Sequence, residues 1–93
     1  MKLIWTNRAL DEYEAVLEHL LDKWTLKEAR KFIVNMDSVL SKIQNNPNMF
    51  KASRAHTYLR KAKITKLNSM IYHLDDEEII VLRIIDNRSE HLH

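Results

Sequence analysis

Arg60, Lys61, Lys63 and Lys66 crowd four cationic side chains into one short stretch, and Arg83 follows inside an apolar run, Ile79-Ile80-Val81-Leu82-Arg83-Ile84. On a β-strand, alternate side chains share a face, and an arginine on a later strand can lie near them across the sheet. Ammonium and guanidinium groups gathered this way hold phosphates. Guanidinium can also stabilise charge developing on a transferring phosphoryl group. The plainer reading is a solvated sheet face with incidental lysines, and it fits Arg83 least because its neighbours are apolar.

Other residues that can do chemistry are fewer. Tyr72 can stack on a base, although at strand spacing beside Met70 and Leu74 it reads first as core. Trp5 and Trp24 read as core or as packing for a helix hairpin. His91 and His93 offer a general acid or base near neutral pH, set against the reading of a frayed tail. No two histidines stand at helical spacing with a carboxylate, so no metal site is expected. Asp75-Asp76-Glu77-Glu78 lacks the spaced ligands and the glycine of a calcium loop and reads as a turn.

The charges are sorted along the chain. Between Ser38 and Leu74 stand Lys42, Lys51, Arg54, Arg60, Lys61, Lys63 and Lys66 with no Asp or Glu, while Asp75–His93 holds two basic residues against six acidic. A formal net charge of +2 therefore conceals a local positive field that phosphate-rich or acidic partners would feel.

Composition closes off several function classes. The absence of cysteine excludes disulfides, thiolate nucleophiles and cysteine-based zinc sites. The absence of glycine excludes a P-loop, a dinucleotide fingerprint and a nucleophile elbow, which need close backbone approach or positive φ. Met1–Thr6 is too soon interrupted by polar residues to read as a signal peptide. No apolar run approaches the roughly 20 residues of a membrane span, and a cytoplasmic protein is expected.

These candidates need elements to hold them. Ninety-three residues make one domain, 1–93. Lys2–Thr6 has strand character, after which Asn7 or Thr6 caps a helix to about Lys23. Its apolar stripe is Leu10, Tyr13, Leu17, Leu20, Leu21 and Trp24, with Asp11, Glu12 and Glu14 in the first turns to suit the helix dipole. Thr25-Leu26-Lys27-Glu28 fits a capping box that opens a second helix. There Ala29, Phe32, Ile33, Met36, Leu40 and Ile43 form the stripe, and Asn45-Asn46-Pro47 ends it. So short a link makes the two helices an antiparallel hairpin. After a loop at Asn48–His56, the segments Thr57–Ile64, Lys66–Leu74 and Glu78–Ile85 read as strands, the last two joined by the acidic turn. The expected class is α+β in the order β-α-α-β-β-β, a helical hairpin packed on one face of a mainly antiparallel four-stranded sheet.

Taken together, Trp5-Thr6 before an acidic helix, a second helix after Trp24-Thr25, Asn46-Pro47 at its end, Leu59-Arg60-Lys61, Ile71-Tyr72, and Ile79–Ile84 followed by Asp86-Asn87-Arg88 resemble the RelE/ParE superfamily of bacterial toxins. The likeness spans almost the whole chain. It implies a small toxin neutralised by a cognate antitoxin, with no cofactor and no metal. RelE-like members cut mRNA in the ribosomal A site with basic side chains on the sheet and, in many, a terminal Tyr or His. ParE-like members inhibit DNA gyrase. By position, Arg60, Arg83 and Arg88 match recurring basic positions and Tyr72 a recurring strand tyrosine. Arg60, Arg83, Arg88 and His91 would be catalytic in a RelE-like toxin, with Lys61, Lys63, Lys66 and Tyr72 binding the target. The chain departs from the RelE-like pattern in having no tyrosine after the last strand and no acid in the basic segment to act as general base. The long second helix suits the ParE-like branch. Two other readings stand beside these, a non-toxic nucleic-acid-binding module and an inactive relative that binds an antitoxin.

Overall fold

The computed structural model describes residues 1–56 and 58–88. Its elements are β1 (Lys2–Trp5), α1 (Asn7–Lys23), α2 (Leu26–Asn45), β2 (Leu59–Lys63), β3 (Asn68–Leu74) and β4 (Glu78–Asp86), the expected order. The sheet runs β1-β4-β3-β2. The pairs β2–β3 and β3–β4 are antiparallel, whereas β1 joins β4 in parallel, so the sheet is mixed. Parallel pairing follows from connectivity, because the chain crosses through the helical hairpin and two strands before returning beside β1.

Local chemistry accounts for the element ends. Thr6 caps α1, its hydroxyl accepting the Ala9 N–H at 3.1 Å and donating to the Leu82 carbonyl at 3.1 Å. Thr25 caps α2 by accepting the Glu28 N–H at 3.2 Å. Asp75 Oδ1 accepts the N–H groups of Glu77 and Glu78 at 3.0 and 2.7 Å and closes the β3–β4 turn. These two bonds hold its carboxyl below the usual carboxylate range. A turn built on an aspartate needs no left-handed residue, and no described residue has positive φ.

Both helices press on one face of the sheet. Phe32, Met36 and Ile43 of α2 and Met70, Tyr72, Ile79 and Val81 of the sheet are almost fully buried. Trp5 packs edge-on to Tyr13, and Tyr13 packs tilted on Phe32, each at 5.4 Å between ring centres. The expected apolar stripes need trimming at their margins. Leu10, Leu21, Trp24 and Ile33 are exposed, and Trp24 keeps 52% of its surface in solvent. Trp24 caps the C-terminus of α1 at the hairpin turn, so of its two expected roles burial in the core does not hold. Ala9 and Val39 take burial in place of these residues. No helix among the described residues is long and apolar enough to cross a membrane.

Candidate functional site

Strand register divides the cationic cluster. Arg60 pairs with Tyr72, which pairs with Val81, and these lie on the helix-covered face with buried Ala62 and Met70. Lys61 and Lys63 alternate to the opposite face. Arg60, Lys61 and Lys63 therefore do not form one cationic surface. Lys61 is half-buried, Lys63 is exposed, and Lys66 is exposed in the turn between β2 and β3.

Arg60 has work beneath the sheet's end. Its guanidinium donates to the Phe50 carbonyl at 2.7 Å and to Asn48 Oδ1 at 3.1 Å. Next to it the Tyr72 hydroxyl donates to the Pro47 carbonyl at 3.2 Å, and Phe50 packs edge-on to the Tyr72 ring. Arg60 and Tyr72 together tie the chain leaving α2 to the sheet. Burial pushes the Tyr72 phenol up, opposed by the Arg60 charge. The ring is fully buried, which overturns its proposed contact with a target; a base would have to displace the core to reach it.

Arg83 occupies the other flank. A bulge in β4 sets Arg83 against Ile71 while Val81 opposes Tyr72, leaving Leu82 as the extra residue. β1 ends at Trp5 opposite Val81, so among the described residues the edge of β4 beyond that point has no strand partner. Glu12 of α1 fills the gap. Its carboxylate accepts the Arg83 Nε–H at 3.2 to 3.3 Å and the terminal N–H at 2.7 Å, and also accepts the Ile84 backbone N–H at 3.1 Å. Arg8 adds a longer ion pair at 3.8 Å. Burial alone would raise the Glu12 carboxyl, but the Arg83 and Ile84 hydrogen bonds and the two nearby cations outweigh it and hold the carboxyl below its ordinary range. The same fork holds the Arg83 guanidinium above its own. Glu12 was expected to serve the helix dipole, yet the first turn of α1 carries no acid. Its spacing held the missed signal, since it stands three residues after buried Ala9 and four before half-buried Val16, on the sheet side of the helix.

At the far end of the sheet Arg88 forks onto Asp86, with contacts of 3.0 and 2.7 Å. That fork and the Arg88 N–H lower the Asp86 carboxyl. Neighbouring Asn87 donates to the Thr65 and Lys66 carbonyls and accepts from Ser69 at 2.6 Å, which brings Lys66 and Arg88 to the same end of the molecule. His91 and His93 lie outside the described residues. Among the described residues no group of His, Asp or Glu has the arrangement of a metal site.

A groove also opens between the hairpin and the end of the sheet. It holds about 550 Å³, with Leu20, Phe32 and Ile64 as an apolar floor and Lys31, Lys63 and Lys66 among the groups at its rim. Exposed Trp24 also lines it.

Comparison with known proteins agrees with this architecture. A chromosomal ParDE system from P. aeruginosa has a chain similar at 21% identity and TM-score 0.74, with 92% of this chain and 95% of that one covered. A YoeB/ParE toxin from Agrobacterium tumefaciens is similar at 14% identity and TM-score 0.70, covering 94% and 99%. A YoeB dimer from Staphylococcus aureus gives 15% identity and TM-score 0.66, covering 89% and 92%. No curated protein matches the chain. The family described as ParE toxin of type II toxin-antitoxin system, parDE, matches residues 3–90. With its helical hairpin, its mixed sheet and a family match over nearly its whole length, this chain belongs to the ParE toxins of type II toxin–antitoxin systems.

Proposed function

We propose that this toxin acts by docking on DNA gyrase, not by cutting mRNA, and that a cognate antitoxin keeps it silent. The Arg83–Glu12 fork carries the reading. An arginine that braces a transferring phosphoryl group needs a free donor edge for it, and here Nε and one terminal nitrogen are already engaged by a carboxylate. Arg60 and Arg88 are likewise engaged, on Phe50 and Asp86. A docking toxin needs no such freedom, and the 20-residue α2 supports this branch.

Antitoxin binding follows from family membership. The groove beside Trp24 fits an amphipathic segment in size and polarity, and an acidic one would be drawn by its lysine rim. One purified sample decides between targets. Loss of supercoiling by gyrase, with mRNA intact on translating ribosomes, is the expected result. Cleavage of mRNA with undisturbed supercoiling would overturn the gyrase reading.

A further inference from the structure

A row of rings remains that neither the core nor the groove absorbs. Tyr58 stands 5.6 Å from His56 and 5.8 Å from His73, centre to centre, with the His73 ring near perpendicular to it. Tyr58 is 59% exposed and His56 is exposed too, while His73 is half-buried. Tyr58 packs on both histidines yet leaves more than half of its surface open to solvent.

The row is held in place. The Leu59 N–H donates to the His56 carbonyl at 2.9 Å, closing a turn around Tyr58. The His56 N–H donates to Ser53 Oγ at 3.3 Å, and the Ser53 N–H donates to the Leu59 carbonyl at 2.8 Å. His73 pairs with Leu59, which puts it on the same sheet face as Lys63 and away from the helices. Exposed Lys51 and Arg54 stand in the adjoining loop, within the segment that has no acid from Ser38 to Leu74. Asp75 lies near His73, and its carboxylate is turned onto the N–H groups of Glu77 and Glu78.

We propose that His56, Tyr58 and His73 are a stacking platform for the bases of a single-stranded nucleic acid, with Lys51, Arg54 and Lys63 drawing its phosphates. Every base offers a flat face, so aromatic side chains beside a basic track suit this ligand without demanding a sequence. An acidic peptide would use the cations but would leave the rings idle. The proposal goes beyond the gyrase reading and does not depend on it.

The test uses the full chain and labelled single strands of about 12 nucleotides, one of thymidines and one of uridines, with no gyrase or ribosome present. Fluorescence anisotropy at low salt should report binding to at least one, and the stronger of the two tells DNA from RNA. Tyr58→Ala should weaken it about 5- to 100-fold, as loss of a stacked base does, and Tyr58→Phe should bind like wild type. His73→Ala should weaken binding in the same direction. Absence of binding at low salt overturns the proposal. So does equal binding by Tyr58→Ala, or a loss with Tyr58→Phe as large as with Tyr58→Ala.

Discussion

Two arginines anchor opposite flanks of the sheet by different means. Arg83 is fixed by a carboxylate from α1, and Arg60 by a backbone carbonyl and an amide oxygen after α2. Both acceptors satisfy a guanidinium, but only the first cancels its charge. The β4 flank is thus a charge-paired joint that responds to pH. The β2 flank is a joint whose acceptors do not titrate, and it leaves its positive charge in a segment already free of acids. A positive field therefore survives on one side of the molecule while an equal number of guanidinium donors is used on each.

The largest expected effect tests whether the Arg60 flank stands on its buried ring. Tyr72→Ala should destabilise the protein by about 3–5 kcal/mol, because it empties a fully buried aromatic site. Tyr72→Phe keeps the ring and gives up only the bond to Pro47, so about 1 kcal/mol is expected. Urea unfolding of both variants separates ring from hydroxyl. Equal losses would mean that the hydroxyl, not the packing, holds the loop.

How much of this is legible in the sequence is uneven, and the reasons are physical. Element order was legible because periodicity, the two threonine caps and Pro47 are local signals. The core character of Tyr72 was legible from its spacing beside Met70 and Leu74. Arg60 and Lys61 were harder, since strand alternation separates them but does not say which parity faces the helices. The Glu12–Arg83 fork joins residues far apart in sequence through a bulge at Leu82, and a bulge changes parity where nothing in the residue types announces it. Trp24 looked like core because a helical stripe cannot show where its partner helix ends.

Next in size is the charged joint. Glu12→Ala should cost about 1–2 kcal/mol near pH 7, a figure reduced for the partial exposure of Arg83. The Glu12 carboxyl lies below its ordinary value of about 4.5. Its contribution is therefore present above that pH and is lost as pH falls through the lower, folded value. Unfolding free energies of wild type and Glu12→Ala should converge in acid. A difference that stays constant down to strongly acid pH would show that the fork is not the source.

Arg60→Ala should cost about 1 kcal/mol, because its half-buried fork serves two neutral acceptors. Neither acceptor titrates, so the cost should be the same at neutral and acid pH. Parallel pH series for Arg60→Ala and Glu12→Ala put the two flanks side by side. Convergence of both variants with wild type in acid would erase the contrast between them.

The smallest effect concerns charge without stability. Lys63→Gln should leave stability within about 0.5 kcal/mol, since its side chain is exposed. On a single-stranded homopolymer it should flatten the dependence of log affinity on log salt by about 0.7, the share of one phosphate contact. Arg83→Gln should leave that slope unchanged, because Glu12 already occupies the guanidinium that would otherwise release a counterion. The two substitutions remove the same formal charge, so net charge alone predicts equal slopes. Unequal slopes, flattened by Lys63→Gln only, are what a field confined to the β2 flank requires.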